Sequence, residues 1–493
     1  MEQNNDDTAA WASIEDVSDS AARVDAQVRA VLGRVLAQRR SAEVAFGYVA
    51  ALSPGTRANC WELAEAAGHE GWGRMQALLG TYAWSWKDLR AELPALAAGW
   101  LPDDAGDLIG PGIAIDETAH LKHGDDTACV APQHAGCTGK VENCVTTVFT
   151  AYVTACGQAW ADFDVYMPER WASDLPRRRA AGIPAGLEFA TKPQLAMGQL
   201  ERLAAAGLPA AWAAFDEVYG RSEKLRKACA RAGLAYVAII PCDYQVRLPS
   251  GAVIRADQAI KDAVFERRSC GTGTKGPRFS DWAMTATAVP GQYLLIRRLI
   301  SRPGQYTFYL CWAPEDRPAT MTYFITIAGR RWPVEETFKT GKNVLGWDQA
   351  QVRTWDGINR HTALAALAQL RQIAIRNAVT GAITLPATPG TGDPGHGSGT
   401  AGDEHVRDAD LRIPLGDAPL PARGGQPCPP RIAAIRLSVA ETARLTALAR
   451  QAAAGLLTRA RLASALRWSL RRRRHQATAR WHHHSARLLE AAT

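Results

Sequence analysis

Three acidic residues stand where metal-dependent phosphoryl transfer would use them. Asp116 follows the apolar run GIAI, Asp216 follows AAWAAF, and Glu335 lies in RRWPVEETFKTGKNVLG at 330–346. Acids at strand ends point to one edge of a sheet, and a helix packed across that edge can bring a third acid to the same place. Carboxylate oxygens are hard donors, suited to Mg2+ or Mn2+. The metal is needed because a phosphodiester is anionic and bare carboxylates repel it. Two cations would instead activate the attacking oxygen and stabilise the leaving one. Taken singly, each acid reads as a cap or a turn residue, so the case rests on the three together. Glu117 and Glu217 neighbour the two aspartates and, by strand alternation, face the other way, which makes them poorer ligands.

The bases around Glu335 carry the second half of the argument. With Pro333 in the first turn, where its missing N–H costs nothing, a helix is predicted from about Trp332 to Leu345, stopping near Gly346. Arg331, Glu335, Lys339 and Lys342 then share one face. An exposed helix laced with ion pairs would look the same. Beside a metal site, however, Arg331, Lys339 and Lys342 become phosphate holders. Lys275 and Arg278, in GTKGPR at 273–278, are further candidates for a loop contact with phosphate.

The elements that must position these residues can be read from the pattern. Residues 1–105 read as helices with short loops, and LAEAAGHEGWGRMQALL at 63–79 has the outline of a helix-turn-helix, with Met75 and Leu78 packing; a plain helical bundle has the same outline. Residues 106–256 alternate short apolar strands with helices, implying a mixed sheet with an antiparallel start and a parallel continuation. A β-rich block at 257–317 interrupts it, with GQYLLIRRLIS and YTFYLCWAP as a hairpin. Residues 318–383 return to helix and carry Glu335. Residues 384–430, rich in Pro and Gly, read as a linker. In the tail at 431–493, Ser438 and Glu441 form a capping box, a helix runs to about Ala454, and Gly455 breaks it.

Composition bounds the class. A chain of 493 residues with 47% hydrophobic and 22% charged residues is globular and too long for one small core. No apolar run approaches a membrane span, and the acidic, polar start EQNNDD is unlike a signal segment, so a cytoplasmic location without membrane association is expected. The ten cysteines include no CxxC pair and are expected to be reduced thiols. Of the net charge of +8, nine arginines fall between Arg459 and Leu489 with no acid among them, leaving 8 − 9 = −1 for the rest. Such a segment suits a nucleic-acid backbone, with Arg467, Arg471, Arg472, Arg473 and Arg474 as its densest part, although a solvated or membrane-surface helix has the same charge. No GxxxxGK[ST] loop is present, so no ATP-driven step is expected.

AIDET at 114–118, AAFDEVYG at 213–220 and RWPVEETFKTGK at 331–342 resemble the motifs of DDE transposases of bacterial insertion sequences. The likeness is to the branch whose last acid lies in a Tyr, Arg, Glu, Lys signature spaced Y-x2-R-x3-E-x6-K. Arg331, Glu335 and Lys342 keep that spacing, which favours Glu335 over Glu336. Ala328 stands at the Tyr position, a departure that bears on the grip on the transposon end. The resemblance implies an α/β, ribonuclease-H-like mixed sheet core with a β-rich insertion, a helical N-terminal domain and a basic helical tail. It implies Asp116, Asp216 and Glu335 as catalytic metal ligands for Mg2+, or Mn2+. Its implied partner is double-stranded DNA, nicked at terminal inverted repeats and joined through freed 3′-hydroxyls to a target. A homodimer that brings two ends together, at the nucleoid, is expected with it. Two other readings remain: a DNA-binding regulator or relic with a silent triad, and a nuclease that hydrolyses without joining.

Overall fold

The structure, a computed structural model, describes residues 2–103, 106–136, 138–273, 276–386 and 437–492, with side chains described from 13 to 487. The apolar runs form strands: β1 (Gly112–Leu121), β2 (Ala131–Ala135), β3 (Lys140–Thr154), β4 (Gly157–Val165), β5 (Trp212–Phe215) and β6 (Ala235–Ile240). A small separate hairpin follows, β7 (Gln245–Arg247) with β8 (Val253–Arg255). Then come β9 (Glu266–Gly273), β10 (Gly276–Ala286), β11 (Gln292–Leu299) and β12 (Arg302–Trp312). Among the described residues, ten of these make one sheet in the order β2-β3-β1-β5-β6-β12-β11-β10-β9, with β4 also paired to β3. β1 is antiparallel to β3 and parallel to β5, which is parallel to β6. This is the expected mixed sheet of an α/β, ribonuclease-H-like core.

The helices divide between the two faces. Before the sheet come α1 (Glu2–Val35), α2 (Arg39–Ala51), α3 (Cys60–Ala66), α4 (Gly73–Leu79) and α5 (Trp86–Trp100). Within the core lie the short α6 (Glu169–Ala172) and α7 (Leu175–Ala180), then α8 (Lys192–Ala205), α9 (Glu217–Gly220) and α10 (Glu223–Arg231). After the sheet come α11 (Met321–Arg331), α12 (Pro333–Lys339), α13 (Trp355–Val379), α14 (Val439–Ala453) and α15 (Arg459–Ala492). Strand alternation sends Ile113, Ile115, Ala213 and Phe215 into a core shared with Leu200 and Leu203 of α8 and Leu225 of α10. Ala114, Ala214 and Val237 face the other way, onto Tyr323, Phe324 and Ile327 of α11 and Val334 of α12.

The parts join more closely than their outline in sequence suggests. The β block does not interrupt the sheet: β12 pairs antiparallel with β6, so β9–β12 extend the same sheet outward. The helix expected from Trp332 is a continuation of α11, broken at Pro333 and ending in a π-helical turn at Thr340–Val344 before Gly346, whose φ is 65°. The N-terminal helices are not set apart from the sheet. α1 runs beside α13, and Val17, Val24, Leu364 and Leu367 belong to one continuous core with Ile115 and Phe215. Arg371 of α13, fully buried, holds Asp25 of α1 through Nε at 2.5 Å and Nη2 at 2.9 Å. The tail likewise folds back. Leu445, Leu466 and Leu470 join that core, and Ser438 caps α14 by accepting from Glu441 N at 3.2 Å. Most of the expected linker, residues 387–436, lies outside the described residues. α13 is buried all round, as an Ala- and Leu-rich helix without a polar face must be.

Candidate active site

The register of two parallel strands brings Asp116 and Asp216 together. Pairing runs from Gly112↔Trp212 to Ile115↔Phe215 and stops, so the next residue on each strand is an aspartate. Adjacent strands lie about 4.8 Å apart, which makes the two carboxylates neighbours. Asp116 does not end β1 as expected, because β3 accompanies the strand on to Leu121; it ends only the pairing with β5. Each aspartate is oriented by its own backbone. Asp116 Oδ1 accepts from Glu117 N at 2.8 Å, and Asp216 Oδ1 caps α9, accepting from Val218 N at 3.0 Å and Tyr219 N at 3.4 Å. The cap reading of Asp216 and its site reading are therefore compatible: one oxygen is committed, the other is not used by the cap.

Glu335 reaches this pair through Arg331. One guanidinium nitrogen lies 3.2 Å from Asp116 Oδ2 and another 3.5 Å from Glu335 Oε1, in a side chain only 17% exposed. The helix pair that carries both is pressed to the sheet where bulk is forbidden. A Cβ on Gly329 would sit 1.7 Å from Cys270 O, and one on Gly341 would sit 2.2 Å from the Trp160 ring. The other bases take separate partners. Lys339 pairs with Glu336 at 2.6 Å and stays exposed; Lys342 donates to Ala119 O at 2.9 Å, on the strand that carries Asp116. Ala328, at the signature Tyr position, packs against the core under α11.

Negative charge is in excess here. Burial first, then the Asp216 carboxylate, pushes Asp116 up to about 7 against the pull of Arg331. Asp216 is raised by burial and then by Glu117, and Glu335 by burial, with Arg331 opposing both. Acids pushed in this direction are held back from their charged form by burial and by one another, a pattern that clusters at functional sites. Among the described residues no three of His, Cys, Asp and Glu converge closely enough to hold a metal by themselves, since the Arg331 guanidinium stands between Asp116 and Glu335. The donor set is nonetheless that of a hard divalent ion: carboxylate oxygens, already drawing one cation.

Strand alternation sends Glu117 to the opposite face, as expected, but it is not idle. Its Oε1 accepts from Lys192 Nζ at 2.6 Å and its Oε2 from Tyr219 OH at 2.5 Å. The sequence offered one signal, Tyr219 three residues after Asp216; nothing pointed to Lys192. Glu217 pairs with Arg221 on the surface.

The remaining candidate bases are dispersed. Lys275 lies outside the described residues. Arg278 lies in β10, not in a loop, and donates to Cys270 O at 3.3 Å and Gly329 O at 2.9 Å, tying the added strands to α11. In the arginine run, Arg473 is buried and Arg472 donates to Glu441 at 3.3 Å, whereas Arg471 and Arg474 are exposed and Arg467 is half-buried. Arg471 lies over the exposed ring of Trp468.

A family model described as DDE superfamily endonuclease matches residues 31–285, more than half of the chain. The chain belongs to the DDE superfamily endonucleases. It is also similar, at 26% identity over 265 residues, to a probable transposase for insertion sequence element IS701 from Microchaete diplosiphon. That match covers 50% of this chain, and the chain spans 61% of the relative's length. The family match includes the N-terminal helices from within α1 as well as Asp116 and Asp216. Glu335 lies beyond its end, and its link to Asp116 runs through Arg331. No described helix is long and apolar enough to cross a membrane.

Proposed function

We propose that this DDE endonuclease is a DNA transposase that cleaves the ends of its element and joins them to target DNA, with Asp116, Asp216 and Glu335 as the metal-binding acids. The observation that supports the reading is the shared register of β1 and β5, which ends on two aspartates, with Arg331 bridging Asp116 and Glu335. Bound Mg2+ or Mn2+ would supply the Lewis acidity that lets a water or a 3′-hydroxyl attack a phosphodiester.

The chain's own residues prepare that site. Asp116 and Asp216 each keep one oxygen on a backbone N–H, fixing the direction of the other. Arg331 offsets part of the acids' charge, and with a divalent ion bound its fork would be free to hold a DNA phosphate. Lys339 and the exposed face of α15, with Arg471, Arg474 and half-buried Arg467, extend the phosphate contact, joined by Lys275 and Arg278. Residues 1–105 and 431–493 serve as DNA-binding parts built onto the catalytic core. A homodimer holding two ends, acting on nucleoid DNA, completes the reading.

The test is cleavage of a duplex carrying the element's terminal repeats, with Mg2+ or Mn2+, and a strand-transfer assay on the products. Asp116→Asn, Asp216→Asn and Glu335→Gln are expected to abolish both while DNA binding survives. Cleavage retained by all three would reject the site. Specific binding by the unaltered protein with no cleavage under any divalent metal would instead mark it as a regulator, and cleavage without joining as a nuclease.

A further inference from the structure

Asp216 introduces α9, a helix of one turn, Glu217–Gly220. A single turn has no stability of its own, because nucleation costs more than its one or two hydrogen bonds return. Something outside it must decide where it lies, and hence where Asp216 points. Two contacts do so. Gly220 is pressed to β6 so closely that a Cβ would stand 1.8 Å from Ile239 O. Tyr219, fully buried, passes its hydroxyl to Glu117 Oε2 at 2.5 Å, and the other oxygen of Glu117 is held by Lys192 Nζ at 2.6 Å, at the start of α8. Lys192 also lies over the Tyr166 ring.

We propose that Glu117, acting through Tyr219, is the positioning residue for Asp216: it carries the orientation of β1, and so of Asp116, across to the turn that aims the second aspartate. The chain of contacts is short and directional. Glu117 follows Asp116 on one strand, Tyr219 stands three residues after Asp216, and their hydrogen bond joins the two carboxylates from behind while both face the opposite side of the sheet. Lys192 keeps the Glu117 charge compensated, so that it serves as an acceptor rather than as a competing ligand.

The inference rests on the proposed metal-binding role of Asp216, and the experiment separates the two. Binding of Mn2+ to the full chain is followed by the electron paramagnetic resonance of the free ion, beside duplex DNA binding and thermal unfolding. Tyr219→Phe is expected to weaken Mn2+ binding about ten-fold or more, the scale on which groups that orient metal ligands act, with DNA binding unchanged. Glu117→Ala should do the same, whereas Glu117→Gln, which keeps an acceptor for the tyrosine, should restore most of the affinity. A merely structural contact would lower the unfolding midpoint and leave Mn2+ affinity of the folded protein as it was, which would overturn the proposal. Should Tyr219→Phe not fold, the Glu117→Ala and Glu117→Gln pair carries the same comparison. If Asp216→Ala binds Mn2+ like the unaltered protein, the metal-site reading itself fails. If Asp216→Ala loses the ion and Tyr219→Phe does not, only the positioning role falls.

Discussion

Replacing Asp116 by Asn should make the metal-free protein more stable, not less. The carboxyl's ordinary value of 3.8 is pushed up to about 7 by burial and by Asp216, a net effect that already includes the attraction of Arg331. Between those two values the native state holds a proton that the unfolded state has lost. Native stability therefore falls as pH rises through this window and levels off above 7. A shift of roughly three units corresponds to at most about 4 kcal/mol at pH 8, an expense that an uncharged Asn does not incur. The assay is urea unfolding of the full chain in EDTA at pH 8 and near pH 4, for both proteins. The comparison has to be a difference, because His361 tilts the wild-type curve the other way. Buried and pushed down to about 4, it stays neutral in the native state while the unfolded chain takes up a proton, so its contribution is lost as pH falls from about 6.5 towards 4. Subtraction removes that slope, leaving an advantage for Asn at pH 8 that vanishes near pH 4. Adding Mn2+ should reverse the order, stabilising the wild type alone. A variant less stable than wild type at pH 8, or an advantage independent of pH, would refute the claim that this site stores uncompensated negative charge.

Other expectations follow from the same contacts. Asp25→Ala leaves the fully buried Arg371 without its partner and should cost about 3–5 kcal/mol in urea unfolding, although it lies far from the candidate site; a loss under 1 kcal/mol would mean that α1 is held to α13 by packing alone. In the arginine run, Arg471→Ala should lower the slope of log affinity for duplex DNA against log salt by about 1 while leaving stability unchanged. Arg473→Ala should do the opposite, destabilising the fold with little change in that slope, because its side chain is buried beside Glu441. Gly341→Ala drives a methyl into the Trp160 ring and should cost about 1–3 kcal/mol by overpacking; an unaltered midpoint would show that the π-helical turn can move aside.

What could be read from the chain, and what could not, divides by the range of the interaction involved. Asp116 and Asp216 were legible because each follows a short apolar run, and two such runs in a parallel sheet leave their next residues side by side. The cap at Ser438 and the stop at Gly455 were legible for the same local reason. The joining of β12 to β6 was not, since edge pairing depends on a register set by residues some seventy positions apart, and no composition change marks it. Nor was the union of the N-terminal helices with α13: alanine-rich helices look alike whether they pack on one another or on a sheet, and the Asp25–Arg371 pair spans 346 positions. Glu335 shows the two ranges meeting. Its neighbours at three and four residues announce a cationic face, but what brings that face to the aspartates is the absence of side chains at Gly329 and Gly341, which lets α11 and α12 lie against Cys270 and Trp160. The glycines of the motif thus do as much to seat the helix pair that carries Arg331 and Glu335 as the charged residues that make the motif recognisable.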